Sequence, residues 1–249
     1  MSSWFSVTAH HLRFAALSYF RNPSAAFFGI GFPVILLLFN GMFFGKMQPG
    51  DGILKFYVAS MSAFAIISVC FTGLAITLAF DRDQGRLKRQ RSTPTPISAY
   101  VAARILFSII VGLATVLVCL LIGGLVFGVV PDAISLILFF GVIVLGAACF
   151  SALGLAVVNM VPNAQAAPAI LNAISFPLLF ASNIFFPVQN SPGWLVAITG
   201  ALPFRPLGQL AVGALTGGDV RLLDAQILLA WTAGAAILAI LFFRWRPAR

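Results

Sequence analysis

Charge, and acidic charge above all, is scarce in this sequence. Glutamate is absent, aspartate occurs six times, and charged residues of all types make up 8% of the 249 residues. Soluble domains are about one quarter charged, so this composition excludes an ordinary soluble globular protein. All six aspartates lie at or near the ends of apolar runs. A proton-coupled carrier normally keeps a carboxylate inside a membrane helix, so their positions argue against a self-sufficient secondary transporter.

The residues of common catalytic and cofactor sites are equally scarce. His10 and His11 both precede the first apolar run, and the three cysteines lie inside apolar runs without a C-x-x-C pair. Catalytic triads, Cys–His pairs and zinc sites are therefore not expected. No G-x-x-x-x-G-K-[ST] loop is present to cradle phosphates. The sequence predicts a chain with no enzyme activity, metal or cofactor of its own, so any ATP that is used must be bound elsewhere.

Apolar residues, in contrast, make up 61% of the chain. Six apolar runs are long enough to cross the membrane as helices, at about residues 24–45, 56–80, 105–130, 133–158, 166–187 and 222–243. These runs predict an all-α integral membrane protein in which residues 1–249 form a single transmembrane domain. Residues 2–20 have apolar side chains at helical spacing, which predicts a helix that lies in the membrane interface.

The distribution of lysine and arginine predicts which side of the membrane each loop faces. With the N-terminus inside, eleven of the 15 basic residues fall in cytoplasmic segments. The other four fall outside, and these are Lys46, Lys55, Arg205 and Arg221. The positive-inside rule therefore places both termini in the cytoplasm. The net charge of +9 reflects these basic loops, and nucleic acid is not an expected partner.

Residues 81–96 contain the one dense cluster of charge. Two aspartates and five basic residues stand in the stretch FDRDQGRLKRQRSTPTP. Gly85 permits a turn, and Pro94 and Pro96 end any helix that begins after it. The segment predicts a short charged cytoplasmic helix between the second and third spans, which suits the transmission of movement. The alternative is a loop that only satisfies the positive-inside rule and binds anionic lipid headgroups, and the residues alone leave both open.

A second unusual segment, residues 191–215, precedes the last span. A serine followed by Pro192 forms a helix-start signature, Trp194 comes next, and Pro203 interrupts the apolar stretch. Each half is too short to cross the membrane. The segment, which follows Pro187, therefore predicts a pair of short helices that dips into the outer leaflet. An ordinary extracellular loop that packs on its own domain is the alternative.

A few side chains inside the apolar runs are candidates for lining a path for cargo. These are Asn40, Asn172, Asn183 and Phe176. Asn172 and Asn183 are eleven positions apart, close to three helical turns, and would share one face of the fifth span. The alternative role is hydrogen bonding between neighbouring helices. The 25 phenylalanines and the expected lack of buried charge favour an apolar or amphipathic cargo, such as a drug or a lipid-like molecule.

Two motifs resemble the ABC-2-type exporter permeases, the membrane subunits of bacterial ABC transporters, including the daunorubicin-resistance-like group. The first motif runs from Phe80 to Pro94 and has aspartates at the family's usual glutamates, Gln84 at the usual arginine and Arg86 at the usual threonine. The second consists of FFPV, SPGW and LPF within residues 185–204, similar to the family's F-F-P…P-x-W…L-P pattern. The resemblance covers nearly the whole chain.

This resemblance implies a function and an assembly. In the family, the charged segment after the second span is the coupling helix, which docks on the ATP-binding subunit. Carried over to this sequence, the coupling residues are Asp81, Arg82, Asp83, Gly85, Arg86, Leu87, Lys88, Arg89, Arg91 and Pro94. The implied assembly has two ABC ATP-binding subunits, which hold ATP and Mg, and two permeases, identical or paralogous, between which the cargo moves.

Two hypotheses from different functional classes follow. The leading one is a permease subunit of an ATP-driven exporter for an apolar or amphipathic molecule, in the bacterial plasma (inner) membrane. Within the same family, a polysaccharide exporter permease is the rival. The alternative class is a non-transporting membrane scaffold or immunity-type protein, whose basic loop would serve only topology and lipid contact.

Overall fold

The regular structure of the protein is helical. The computed structural model describes residues 4–45, 51–86, 97–185 and 192–242. Within these ranges the chain forms nine helices, which are α1 (Trp4–Phe20), α2 (Pro23–Phe44), α3 (Gly52–Asp83), α4 (Ile97–Phe127), α5 (Ala133–Val157), α6 (Ala167–Ala181), α7 (Gly193–Ala201), α8 (Phe204–Thr216) and α9 (Leu222–Phe242). The predicted all-α membrane fold is confirmed.

Local sequence signals set the ends of α4 and α5. Gly128 follows α4 with a φ of +68°, a left-handed conformation that glycine adopts without steric cost, and Val129 N donates to Gly123 O at 2.9 Å. This is a common way for a helix to end. Asp132 then caps α5, because its Oδ2 accepts a hydrogen bond from Ser135 N at 3.1 Å. Local signals therefore set both ends of the turn between these two helices.

Among the helices of the described ranges, five are long and apolar enough to cross a membrane, namely α2, α3, α4, α5 and α9. The predicted fifth span, residues 166–187, differs from the structure. Its helix α6 has 15 residues, which gives a length of about 22 Å and falls short of a hydrocarbon core of about 30 Å. The last two residues of the predicted span lie outside the described ranges.

Helix α8 packs against the residues that follow α6. The chain enters α6 from the end of the bundle where α3 also ends, since Ala164 N donates to an oxygen of Asp83. Gly208 of α8 lies against the Ile184 side chain and the Ser182 carbonyl, just beyond the end of α6. Helix α8 is therefore packed within the bundle, and the dipping of this helical pair into the outer leaflet stays a prediction.

Helices α7 and α8 meet at a bend of 89° and are referred to below as the bent pair. The ring of Phe204, at the start of α8, packs against Phe150 of α5 and Phe71 of α3, with centroid distances of 5.0 and 6.1 Å. Most residues of α8 are buried, whereas most of α7 is exposed. The bend thus lies deep within the bundle, beside its aromatic core.

Helix α5 approaches the backbone of α3 very closely. A Cβ atom added to Gly154 would stand 3.0 Å from Cys70 O and 3.1 Å from Phe71 O. At this level α3 adopts π-helical geometry over Ile67–Gly73. A π-helical segment widens the helix locally and is frequent at functional sites. Glycine at position 154 is therefore required by close packing against the widened part of α3.

Helix α1 packs on the first turns of α4. Trp4 Nε1 donates to Ser98 Oγ at 3.2 Å, and the α1 side chains that are buried are Thr8 and Ala15. Phe5, on the predicted apolar face, is 77% exposed. An exposed apolar face on a helix at the edge of the bundle is what an interface helix would direct towards lipid.

Candidate functional site at the charged end of the bundle

The predicted coupling segment begins at the end of α3. Asp81, Arg82 and Asp83 form its last turn, and Gly85 follows with a φ of +66°, which favours glycine and turns the chain. The coupling residues that lie outside the described ranges are Leu87, Lys88, Arg89, Arg91 and Pro94. Residues 81–86, 97–104 and 158–166 are referred to together as the charged end.

Asp81 joins α3 to the first turns of α4. Its side chain is 2% exposed, and Oδ2 lies 2.8 Å from Arg104 Nη2 and accepts a hydrogen bond from the Tyr100 hydroxyl. Its Oδ1 lies 3.1 Å from Nη1 of Arg86, whose side chain is 53% exposed. A buried carboxylate needs such partners, because an unpaired buried charge costs several kcal/mol. Asp81 is therefore a structural bridge between two membrane helices.

Arg82 joins α3 to the end of α5. Its side chain is 4% exposed, and its guanidinium donates from Nη1 to Val158 O at 3.0 Å and from Nη2 to Val161 O at 2.6 Å. Carbonyl groups at the end of a helix lack helical partners, and the helix macrodipole favours a cation there. Arg82 therefore caps α5 from a neighbouring helix.

Asp83 joins α3 to the turn that leads into α6. Its Oδ2 accepts a hydrogen bond from Ala164 N, and its Oδ1 lies 3.5 Å from Arg82 Nε. The same turn is held from within, because Asn163 Oδ1 accepts a hydrogen bond from Ala166 N at 2.8 Å. The chain between α5 and α6 is thereby fixed to the end of α3.

Three consecutive residues thus attach the end of α3 to three other parts of the bundle. The prediction that Asp81 and Arg82 belong to a docking surface is wrong in this respect, since both side chains are buried and bind groups of their own chain. Asp83 and Arg86 retain surface exposure. The charge pattern predicted the position of this candidate site. The burial of Asp81 and Arg82 could not be predicted in the same way, because it depends on partners far away in the sequence.

Helix α1 also reaches the charged end. The ring of His11 lies against the ring of Tyr100, with centroids 5.3 Å apart and planes at 85°. Burial, followed by the nearby charges of His10 and Arg104, lowers the pKa of His11. A lowered pKa keeps this imidazole neutral at neutral pH. The helices α1, α3, α4 and α5 therefore meet at one site, joined by these contacts.

The four candidate path residues do not form one polar face. Asn40 is buried, and its Nδ2 donates to Leu36 O within its own helix at 2.8 Å. Phe176 is 43% exposed. Asn183 follows the end of α6 with a φ of +58°, so the prediction that it shares a helical face with Asn172 is wrong. The reason is that α6 has already ended at this point.

The predicted outer residues mark the bent pair. Pro192 immediately precedes α7, Trp194 in its first turn is 65% exposed, and Pro203 stands at the bend. Pro187 lies outside the described ranges.

Sequence reasoning missed one residue of the bent pair, Arg205. It was expected in an outer loop, yet it is 8% exposed and lies next to Phe204 in the middle of the bundle. The sequence did contain a signal for its burial. Arg205 stands in the turn between two short apolar helices, and a charge in such a turn enters the membrane together with the turn. The premise that the bundle contains no buried charge is therefore wrong.

In the described part of the chain, no group of three or more His, Cys, Asp or Glu side chains is placed to hold a metal ion. What the charged end can do is mechanical and electrostatic. It can hold four helix ends in a fixed arrangement and present the exposed guanidinium of Arg86 beside them.

Comparison with known proteins gives a consistent assignment. Residues 10–215 match the protein family described as ABC-2 type transporter. The chain is also similar to the daunorubicin resistance ABC transporter permease protein DrrB1 of Streptomyces coeruleorubidus, with 30% identity over 96% of this chain and 85% of that protein. The matched region contains the whole of the charged end and of α2 to α7.

Proposed function

The chain belongs to the ABC-2 type transporter family, and from that membership we propose that it is the permease subunit of an ATP-driven exporter. The chain supplies part of the pathway through the membrane, and a second permease, identical or paralogous, supplies the rest. Two ABC ATP-binding subunits hold ATP and Mg and provide the energy. The lack of a phosphate-binding G-x-x-x-x-G-K-[ST] loop in this chain supports that division of labour.

The observation that carries this proposal is the attachment of the charged end to the membrane helices. A displacement applied to residues 87–96 would reach α4 through Asp81, α5 through Arg82 and the start of α6 through Asp83. Buried, charge-assisted hydrogen bonds transmit such a displacement, because they are short and directional. A loop that served only topology and lipid binding would need none of them, so the geometry favours coupling over the scaffold alternative.

The charged end and both termini face the cytoplasm in this proposal, in the bacterial plasma (inner) membrane. The support is the excess of basic residues, since eleven of 15 fall on that side as the positive-inside rule requires. This orientation puts the coupling segment where ATP-binding subunits can reach it.

The proposed cargo is an amphipathic molecule of drug type. The similar protein is named for resistance to daunorubicin, which makes that compound a reasonable first probe. The buried Arg205 adds a positive charge to a bundle whose buried side chains are mostly apolar. A cargo that combines an apolar body with polar groups therefore fits better than a pure hydrocarbon.

Transport into inside-out membrane vesicles tests the function directly. Vesicles that contain this chain together with its ATP-binding subunit should accumulate radiolabelled daunorubicin when ATP is added, and not when a non-hydrolysable analogue is added. The matched control carries an ATP-binding subunit whose phosphate-binding lysine is replaced by alanine. ATP-dependent uptake that needs no ATP-binding subunit would contradict the proposal. A chain that associates with no ATP-binding protein would support the scaffold alternative.

A further inference from the structure

Helix α8 carries all of its polar side chains on one face. The residues of α8 that are not buried are Gln209, Val212 and Thr216. They follow Arg205 by four, seven and eleven positions, and these spacings put the four side chains on the same side of a helix. Arg205, Gln209 and Thr216 are referred to below as the polar stripe. The remaining residues of α8 are apolar, glycine or proline, so the polar stripe lies on the least packed side of an otherwise apolar helix.

The polar stripe begins deep in the bundle. The first residue of α8 contacts Phe71 of α3, and Phe71 lies about 18 Å along α3 from Asp83 at the charged end. From there α8 packs along the first half of α3, so it runs away from the charged end. The distance from Arg205 to Thr216 along α8 is about 16 Å, which is half of a hydrocarbon core of about 30 Å. The stripe therefore extends from the middle of the bundle towards the side opposite the charged end.

The guanidinium of Arg205 is only partly satisfied. The side chain is 8% exposed, and its Nη1 donates to Thr199 Oγ1 at 3.1 Å. The Thr199 hydroxyl donates its own proton to Leu195 O at 2.7 Å. Arginine carries five N–H donors, and within the described residues this is the one hydrogen bond that its side chain makes. None of the ion pairs formed among the described residues includes Arg205, so a neutral hydroxyl is its direct partner.

The amide of Gln209, one helical turn further on, adds a second unsatisfied group to the same face. Among the described residues it has no hydrogen-bond partner, whereas the Thr216 hydroxyl donates to Val212 O at 2.8 Å. Polar groups left unsatisfied at membrane depth are costly. The N-terminal end of a helix also favours an anion over a cation. The missing partner is therefore a hydrogen-bond acceptor, and a negatively charged one fits best.

Charge and apolar surface indicate what occupies this face. A second copy of the chain offers no carboxylate at this depth, because all six aspartates lie at or near the ends of the apolar runs, and it would bring an Arg205 of its own. The exposed side chains of α7, the other arm of the bent pair, include Val196 and Ile198. They provide apolar surface beside the polar stripe. An amphipathic molecule with an anionic head and an apolar body matches both surfaces.

We infer that the polar stripe binds the anionic or oxygen-rich head of the transported molecule, with Arg205 as the principal contact and Gln209 as the second. The inference narrows the cargo to amphipathic molecules with such a head and, in calling that molecule a cargo, it rests on the proposed function. Binding of an anionic amphiphile to the stripe does not depend on ATP or on any partner subunit.

Equilibrium binding of radiolabelled oleate to the purified full-length chain, in nanodiscs of phosphatidylcholine, tests the site. Arg205→Met should fold, because a buried charge can be replaced by an apolar side chain of similar size, and should bind oleate about tenfold or more weakly. Arg205→Lys keeps the charge and should stay within about threefold of the wild type. Gln209→Leu loses a neutral hydrogen bond and should bind about threefold more weakly. Val212→Leu, on the same face, is the matched control and should bind as the wild type does.

The outcomes that would overturn the inference are distinct. Wild-type oleate affinity in Gln209→Leu and in a folded Arg205→Met would exclude the site, and Gln209→Leu decides the question alone if Arg205→Met does not fold. Equal competition by an alkyltrimethylammonium ion of the same chain length would exclude selection for an anion. A phospholipid that stays on the wild-type chain through purification and is lost from Arg205→Met would assign the stripe to a lipid headgroup. Loss of a permease dimer in Arg205→Met, without oleate binding by the wild type, would assign it to the second permease.

Export into inside-out vesicles, with the ATP-binding subunit present, separates this inference from the proposed function. A wild-type chain that binds oleate with the expected dependence on Arg205 and Gln209, but exports neither oleate nor daunorubicin when ATP is added, would refute the proposed function and leave the binding site in place. A chain that exports daunorubicin but binds oleate equally well in all variants would refute the binding site alone.

Discussion

Replacing Arg82 with alanine removes two hydrogen bonds that tie α3 to the end of α5. Both are made by a charged donor, to Val158 O at 3.0 Å and Val161 O at 2.6 Å, and the side chain is 4% exposed, so water does not compete for them. Hydrogen bonds to charged groups contribute about 1.5–3 kcal/mol each. The two together predict a loss of at least about 3 kcal/mol in the free energy of unfolding. For a chain of this size, that loss lowers the unfolding midpoint by about 6–12 °C.

Thermal unfolding of the purified chain in detergent measures this loss, and the neighbouring Arg86 provides the control. Arg86 also pairs with an aspartate, but its side chain is 53% exposed, and exposed ion pairs contribute at most about 1 kcal/mol. Arg86→Ala should therefore shift the midpoint by at most about 4 °C. Arg82→Lys keeps the charge but loses the planar fork that reaches two carbonyls, so its midpoint should fall between the two. Equal midpoints for Arg82→Ala and Arg86→Ala would refute the reasoning.

Further consequences concern three other positions. Asp81→Asn removes one charge of a buried ion pair and should lower the free energy of unfolding by about 3 kcal/mol; a loss below about 1 kcal/mol in chemical denaturation would show that the pair is dispensable. Gly154→Ala presses a Cβ against backbone carbonyls of α3 and should lower the free energy of unfolding by about 1–3 kcal/mol. Gly141→Ala, in open space on the same helix, should leave that free energy unchanged or raise it. Equal effects of the two changes would contradict the close packing of α5 on α3. Asp132→Ala removes the cap of α5 and should lower the unfolding midpoint, whereas Asp132→Ser should not. Hydrogen bonds from the Ser135 side chain and backbone lower the pKa of Asp132. The stability that the cap contributes is therefore present at pH 7 and is lost only as the pH falls through that lowered pKa. A midpoint difference between wild type and Asp132→Ala that persists unchanged at low pH would argue against the cap.

The helices could be predicted from the sequence because each apolar run carries its own signal. The turn between α4 and α5 is set by local chemistry alone, through Gly128 and the Asp132 cap. The length of α6 could not be predicted, because the apolar sequence continues beyond Ala181, where the helix ends. The packing of Gly208 against Ile184, just after that end, depends on a contact between residues far apart in the sequence.

The position of the candidate site could also be predicted, but its internal structure could not. The charge in residues 81–96 indicated where the site lies. The burial of Asp81 depends on Tyr100 and Arg104, which lie in the first turns of the next helix. Tyrosine and arginine are common at a membrane boundary, so neither residue indicated a buried partner. Arg205 was misplaced for a similar reason, because its burial is set by the position of the bend and not by its neighbours in the sequence.

Capture of the ATP-binding subunit is the measurement that tests the central claim most directly. A tagged wild-type chain should retain the ATP-binding subunit in roughly equal amounts after purification. The triple change Lys88→Glu, Arg89→Glu and Arg91→Glu, which leaves Asp81 and Arg82 in place, should reduce capture about tenfold or more while the unfolding midpoint of the chain stays the same. Undiminished capture by the triple variant, with an unchanged midpoint, would contradict docking at this segment.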